Sequence, residues 1–156
     1  MTAEPALSPA ADDLVATVNL QLGPRPKLKN IPRMAAALDT VVVLLMEKED
    51  AATLVARWEA TGVEVLHVDY GIRRDGDHAA IVEATAEAVA ARLAAGRRVH
   101  IHGAAGLHRT GRVAYASLRR LGLSRDDAIA EIRRIRPVTG DAIATLVAKD
   151  SGSVEP

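Results

Sequence analysis

The sequence predicts a single α/β domain with a central, mainly parallel sheet, flanking helices and a helical C-terminal part. Short runs of β-branched residues alternate with longer helical patterns, and after the last run the pattern is helical only. The length of 156 residues also suits one domain with one core. The domain is expected over residues 14–150. Flexible tails are expected over 1–13 and 151–156, because neither end carries a periodic apolar pattern.

Four short apolar runs are predicted to be strands, at residues 17–22, 40–45, 63–68 and 99–102. The last three are rich in β-branched residues, and the near-continuous run at 40–45 is typical of a strand covered on both faces. The strands are therefore expected to form the middle layer of the domain.

Helical patterns occupy residues 50–60, 78–95, 109–121, 124–135 and 140–149. The first two end near Gly62 and Gly96, which can act as C-caps. Ser124 with Asp127 three residues later resembles a capping box at the start of the fourth. The last three helices follow the final strand directly.

Composition excludes several kinds of protein. Twenty basic and twenty acidic residues give a formal net charge of zero, so no nucleic-acid or anionic-membrane partner is expected. No stretch approaches the roughly 18 apolar residues of a membrane span. The N-terminus also lacks a basic segment followed by an apolar one, and a cytoplasmic location is expected. The absence of cysteine excludes disulfides, thiolate metal ligands and a cysteine nucleophile.

The segment 99–111 is predicted to carry the chemistry: a strand, a loop of small residues and a helix that begins at Arg109 or Thr110. Backbone N–H groups of such a loop can converge on one anion, and the helix N-terminus adds partial positive charge. Arg109 can bind two oxygens at once, and Thr110 offers a hydroxyl. The predicted phosphate-binding residues are Gly103, Ala104, Ala105, Gly106, Leu107, His108 and Arg109.

Other interpretations of this segment remain open. The loop can instead be a tight turn whose glycines only permit close packing, with Arg109 in solvent. A nucleotide-binding P-loop fits worse, because Gly106 and Gly111 lack the Lys-Ser/Thr pair that follows that motif. His100 and His102 share one strand face, which suggests a metal site as an alternative. No third ligand stands at a spacing typical of such a site. No metal and no cofactor are therefore expected.

The residues 102–111 resemble the signature loop of the cysteine-dependent protein tyrosine and dual-specificity phosphatases, His-Cys-x-x-Gly-x-x-Arg-Ser/Thr-Gly. Every signature position matches except one, because Gly103 stands where the family has its nucleophilic cysteine. The resemblance extends over roughly residues 16–140, with 19–26 similar to the family's entry strand and turn and 38–45 to its second strand. It implies a dual-specificity-phosphatase-like fold.

The resemblance also implies roles for single residues. Asp69 lies 34 positions before Gly103, where the family carries its general acid, with Asp75 and Asp77 as alternatives. Arg109 and Thr110 belong to the implied catalytic set, and the implied role of His102 is to support the loop. In the family, the thiolate attacks phosphorus and the acid protonates the leaving oxygen.

Glycine at the nucleophile position closes that covalent route, with an expected loss on the order of 10⁶-fold in rate. The phosphate cradle does not need the sulfur, and loss of a thiolate removes a negative charge that would repel phosphate. The chain is therefore expected to bind inorganic phosphate or sulfate, or a phosphorylated protein, peptide or small phosphoester. A natural pseudophosphatase and an inactive variant of a phosphomonoester hydrolase both fit Gly103.

Two other classes of function remain. One is a cysteine-free enzyme that acts on a phosphorylated small molecule or peptide, with Asp69, His102 or His108 in acid–base roles. The other is a structural domain whose loop is vestigial. Retention of both Arg109 and Asp69 argues against this last class, because a vestigial site has no physical reason to keep both.

Overall fold

The computed structural model describes residues 18–70 and 78–154, with side chains up to residue 150. The predicted N-terminal tail, 1–13, lies outside the described residues. The strands are β1 (Leu20–Gly23), β2 (Thr40–Val43), β3 (Glu64–His67) and β4 (Val99–His102). The helices are α1 (Ile31–Ala35), α2 (Ala51–Glu59), α3 (His78–Ala94), α4 (His108–Arg120), α5 (Arg125–Ile135) and α6 (Pro137–Val154). Short 3₁₀ turns span Leu28–Asn30 and Glu47–Glu49.

The four strands form one parallel sheet in the order β1-β4-β2-β3, which confirms the predicted α/β class. His102 at the end of β4 pairs with Gly23 of β1 and with Val43 of β2. The carboxyl ends of these three strands therefore meet at one edge of the sheet. Ligands of open parallel sheets bind at this edge, outside the carboxyl ends of the strands.

All four predicted strands are present: β4 coincides with its predicted run, β2 and β3 are shorter than theirs, and β1 is offset toward the C-terminus. The predicted N-cap of α5 is confirmed, since the Ser124 side chain accepts a hydrogen bond from Asp127 N–H at 3.1 Å. Gly62 and Gly96 adopt left-handed backbone just beyond α2 and α3, with φ of +89° and +82°, as C-capping glycines do.

The C-terminal helix differs from its predicted range of 140–149. It begins at Pro137, because a proline in the first turn needs no N–H partner and its fixed φ suits a helix. It continues to Val154, four residues into the segment predicted as a tail. Sequence reasoning also missed α1 and the two 3₁₀ turns, which are too short to carry a periodic pattern.

Hydrophobic clusters pack on both faces of the sheet. Val41 and Val43 of β2 pack with Trp58 of α2 on one face, while Val42 and Leu44 face the cluster formed with α3 to α6. All four aliphatic side chains are fully buried, which confirms the two-sided burial predicted from the run at 40–45. Within the described residues, no helix is both long and apolar enough to cross a membrane.

Candidate active site

The candidate site lies where β4 ends and α4 begins. His102 closes the strand, residues 103–107 form the loop, and α4 begins at His108, one residue before the predicted start. The loop therefore lies at the N-terminus of a 13-residue helix. Unpaired N–H groups there carry partial positive charge, which favours a bound anion.

Hydrogen bonds from outside the loop hold its carbonyl groups. Arg25 N–H donates to the Ala104 carbonyl at 2.8 Å, and the Gly106 carbonyl accepts from Arg136 Nη1 at 2.7 Å and from Thr139 Oγ1 at 2.6 Å. Among the described residues, none accepts a hydrogen bond from the backbone N–H groups of residues 104–107. These donors are available to an anion, as in other loops of consecutive N–H groups.

Gly106 is required by the close approach of the loop to β1. Its φ is +74°, and a Cβ atom built on it would lie 2.4 Å from the Gly23 carbonyl oxygen. No side chain fits at that distance, and L-residues also disfavour this backbone region. The glycine therefore sets the shape of the loop.

At Gly103, unlike at Gly106, a Cβ atom fits without any movement of the neighbouring atoms. It would lie 3.5 Å from Thr110 Oγ1, 3.6 Å from the Leu44 carbonyl oxygen and 3.8 Å from Arg109 Nε, all ordinary contact distances. The Thr110 hydroxyl is fully buried, and no residue within 18–70 or 78–150 forms a hydrogen bond with it. A polar group placed beside Gly103 could therefore accept from Thr110.

Arg109 is held in place by acceptors on two neighbouring segments. Nη1 donates to Glu49 Oε1 at 2.7 Å, to the Tyr70 carbonyl at 2.9 Å and to the Leu44 carbonyl at 3.0 Å, while Nη2 donates to Glu49 Oε2 at 2.9 Å. The Nε–H and the second N–H of Nη2 have no acceptor among the described residues. This edge of the guanidinium can bind two oxygens of one phosphoryl group.

Glu49 lines the cleft and pairs with Arg109, and sequence reasoning did not find it. It closes the 3₁₀ turn after β2, and its Oε1 also accepts from Met46 N–H at 2.8 Å. Hydrogen bonds from Arg109 outweigh the opposing effect of burial and lower the pKa of the Glu49 carboxyl to about 2. The two residues lie 60 positions apart in sequence, so no local pattern could have paired them.

His102 lies beneath the loop as a buried, neutral imidazole. Trp58 Nε1–H donates to His102 Nε2 at 3.2 Å, so the other ring nitrogen carries the proton and can donate to the Gly103 carbonyl, 3.2 Å away. Burial is the main cause that lowers the pKa of His102 to about 4, and it lowers the pKa of His100 to about 3. These contacts join His102 to the first residue of the loop, and its supporting role stays a prediction.

A metal site on the His-x-His pair finds no support in this arrangement. The His100 and His102 rings do lie on one face, with centroids 6.0 Å apart, and both pack near Trp58. One nitrogen of His102 already accepts from the indole. The part of the chain that the structure describes contains no group of three or more His, Cys, Asp or Glu able to hold a metal.

The loop lines a cleft of about 430 Å³. Residues 103–110 form one side, and the others that line it are Met46, Glu49, Tyr70, His78 and Arg112. Every predicted phosphate-binding residue and Thr110 therefore lie at this cleft. Asp69 follows β3 as an exposed residue and is not among the described residues that line the cleft, although the next residue, Tyr70, is. Asp75 and Asp77 lie outside the described residues.

No protein-family model and no curated protein sequence matches the chain. Solved structures do match it. Tk-PTP in its active form is 31% identical, with 77% of this chain and 81% of that chain covered and a TM-score of 0.63. PTPMT1 in complex with PI(5)P is 22% identical, with 80% and 82% covered and a TM-score of 0.64. The core catalytic domain of the PP-IP phosphatase SIW14 from S. cerevisiae, in complex with citrate, is 21% identical, with 76% and 73% covered and a TM-score of 0.56.

Proposed function

Because the chain belongs to the protein tyrosine and dual-specificity phosphatase family, we propose that it binds phosphorylated ligands at residues 103–109 without hydrolysing them by the cysteine route. The observation that supports this most directly is the combination of Gly103 with a cradle whose other parts are present. The ligand is a phosphorylated protein, peptide or small phosphoester, and inorganic phosphate or sulfate occupies the same loop.

Three groups of donors converge on the bound phosphoryl group. The N–H groups of residues 104–107, which have no acceptor among the described residues, and the N-terminus of α4 surround one side. The Nε–Nη2 edge of Arg109 binds two oxygens, in the orientation that Glu49 holds. The buried Thr110 hydroxyl supplies a further donor beside Gly103.

The covalent step has no nucleophile in this chain. In the family's route, a sulfur electron pair forms a bond to phosphorus while the bond to the leaving oxygen breaks and the acid protonates that oxygen. Glycine at 103 supplies no electron pair, and Thr110 Oγ1 is buried with no base among its described contacts. Turnover is expected to fall on the order of 10⁶-fold below a cysteine form, as when the nucleophile of another hydrolase is removed.

The test compares three proteins: the chain as written, Gly103→Cys and Gly103→Ala. The alanine form is the matched control, because its Cβ fits as the cysteine Cβ does but brings no sulfur. Calorimetry with inorganic phosphate or vanadate should show that the glycine and alanine forms bind at least as tightly as the cysteine form. Hydrolysis of p-nitrophenyl phosphate and phosphopeptides should occur only in the cysteine form.

Two results would contradict the proposal. Clearly weaker phosphate binding in the glycine form would mean that the sulfur is part of the anion site. Equal hydrolysis by the glycine and cysteine forms would instead support the second candidate, a cysteine-free enzyme. The position of His108 at the cleft favours that candidate, and His108→Asn and Asp69→Asn would then show which side chain moves the proton.

A further inference from the structure

A groove of about 700 Å³ adjoins the phosphate cleft, and its lining combines buried or half-buried apolar side chains with exposed charged ones. It lies between α3, α4 and α6, and His78 and Arg112 line both the cleft and the groove. Its volume falls within the range of small-molecule pockets. The apolar side chains that line it are Ala79, Val82, Tyr115, Ala116, Ile143, Leu146 and Val147, and the exposed charged ones are Glu83, Arg119, Arg120 and Asp150.

The groove continues from the cleft along two helices. Val82 lies one turn beyond His78 on α3, and Ala116 lies one turn beyond Arg112 on α4, so each pair shares a helix face. Arg119 also lines the groove, two turns beyond Arg112. Seven residues of helix span about 10 Å, which is the length of groove available to a ligand that starts at the cleft.

The charges at the junction match a ligand with an anionic head. The half-buried Arg112 lies between cleft and groove, and its guanidinium makes no hydrogen bond or ion pair with any residue that the structure describes. Farther along the rim, Arg120 is already paired with Glu83 at 3.0 Å. Positive charge is therefore available at the cleft end. Beyond it, half-buried apolar side chains line the groove between exposed charged residues, which include the carboxylates of Glu83 and Asp150.

The walls of the groove favour an aliphatic chain over a peptide. All three walls are helices, whose backbone N–H and C=O groups are bonded within each helix. A peptide laid along them would bring its own backbone polar groups against apolar side chains, which costs free energy unless they find partners. An alkyl chain brings no such groups.

We propose that the groove binds the aliphatic part of a phosphomonoester whose phosphate occupies the loop 103–109. The inference rests on the proposed function for the phosphate end and adds the class of ligand. The ligand is an amphiphile with a terminal phosphate, an ester oxygen near Arg112 and an alkyl chain between α3, α4 and α6.

The experiment is a calorimetric series on the full chain as written, with inorganic phosphate followed by ethyl, butyl, hexyl, octyl and decyl phosphate. Full burial of a methylene group raises affinity about fourfold, and half-burial in an open groove about twofold. Octyl phosphate has six more methylene groups than ethyl phosphate, so affinity should rise about 60-fold between them. The rise should level off near eight carbons, because an extended chain advances about 1.2 Å per bond and the groove ends after about 10 Å.

Two variants locate the effect. Ala116→Phe obstructs the groove one turn beyond Arg112, and Ala91→Phe places the same side chain on an exposed part of α3 that does not line it. The first should abolish the dependence on chain length and leave inorganic phosphate binding unchanged, whereas the second should change neither. Thermal unfolding followed by circular dichroism checks that both variants fold, and the series on the unmodified chain decides the question without them.

The outcomes separate this inference from the proposed function. If inorganic phosphate fails to bind, the proposed function is wrong. If phosphate binds but affinity does not change with chain length, only the groove inference is overturned. Octyl glucoside that binds as tightly as octyl phosphate would overturn the link between the two sites. A phosphopeptide that outcompetes octyl phosphate and loses affinity in Ala116→Phe would replace the alkyl ligand with a peptide.

Discussion

Replacing Glu49 by glutamine tests the ion pair that orients Arg109. The substitution keeps the size of the side chain, and the amide oxygen can still accept from Met46 N–H, as Oε1 does at 2.8 Å. The amide NH₂ group instead meets Arg109 Nη2, where Oε2 accepted at 2.9 Å. The variant therefore loses one charge-assisted hydrogen bond and the negative charge, with little change in packing.

The expected loss of stability follows from the lowered pKa of the Glu49 carboxyl. A fall in the Glu49 pKa from 4.5 to about 2 corresponds to about 3 kcal/mol of favourable interaction. Both side chains of the pair are 22% exposed, so solvent screens part of this energy. Glu49→Gln should lower the free energy of unfolding at pH 7 by about 1–2 kcal/mol, close to the value of a hydrogen bond to a charged group.

The pH dependence of this difference has a definite sign. A carboxyl whose pKa is lower in the folded state contributes its full stability above its unfolded pKa and loses it as the pH falls through its folded pKa. The difference between the two proteins should be constant above about pH 5 and shrink to zero between the values of 4.5 and about 2. Urea unfolding at pH 7, 5, 4 and 3, followed by circular dichroism, measures it.

The control is Glu47→Gln, which removes a carboxylate from the exposed side of the same 3₁₀ turn and should change stability by less than about 0.5 kcal/mol. The pKa values of Asp39 and Glu64 are also lowered to about 2 by their arginine partners, and both proteins contain them, so they cancel in the difference. A difference of zero at pH 7, or one that does not change with pH, would refute the stated role of the Glu49 carboxylate.

Three further predictions follow from other parts of the site. Gly106→Ala should cost about 3 kcal/mol or more, because its Cβ would lie 2.4 Å from a carbonyl oxygen, whereas Gly103→Ala should cost less than about 1 kcal/mol in the same urea titration. The free energy of unfolding should fall by about 2 kcal/mol per buried histidine from pH 6.5 to 5. The pKa values of His100 and His102 are about 3 and 4 in the folded protein, so only the unfolded chain takes up protons on them in this range. His100→Phe should reduce this fall in stability. In a Gly103→Cys protein, Asp69→Asn should lower kcat about 100-fold for an alkyl phosphate, which needs a protonated leaving group, and much less for p-nitrophenyl phosphate.

Each of these predictions has an outcome that contradicts it. Equal costs for alanine at the two glycines would show that the close approach at Gly106 is relaxed by movement of the loop. A flat stability profile between pH 7 and 5 would mean that the buried imidazoles are protonated in the folded state. An unchanged kcat for the alkyl phosphate in the Asp69→Asn variant would remove this residue as the general acid.

The loop and the place of its arginine were predictable from sequence because the residues that build them are consecutive. Spacing of small residues, a strand before them and a helix after them are local features, and residues 99–111 carry all of them. The strands and the longer helices were predictable for the same reason, since the spacing of apolar residues along a short segment indicates which of its faces is buried. The start of α6 at Pro137 was missed because the predicted helical pattern begins only at residue 140.

Only the tertiary structure decided which distant side chains complete the site. Glu49 is paired with Arg109, Arg136 and Thr139 hold the Gly106 carbonyl, and Trp58 donates to His102. These partners come from separate elements that the parallel sheet and its packed helices bring to one edge. The number of residues between two side chains does not indicate whether they will be in contact. The groove between α3, α4 and α6 has the same origin, because its walls exist only once three helices have packed.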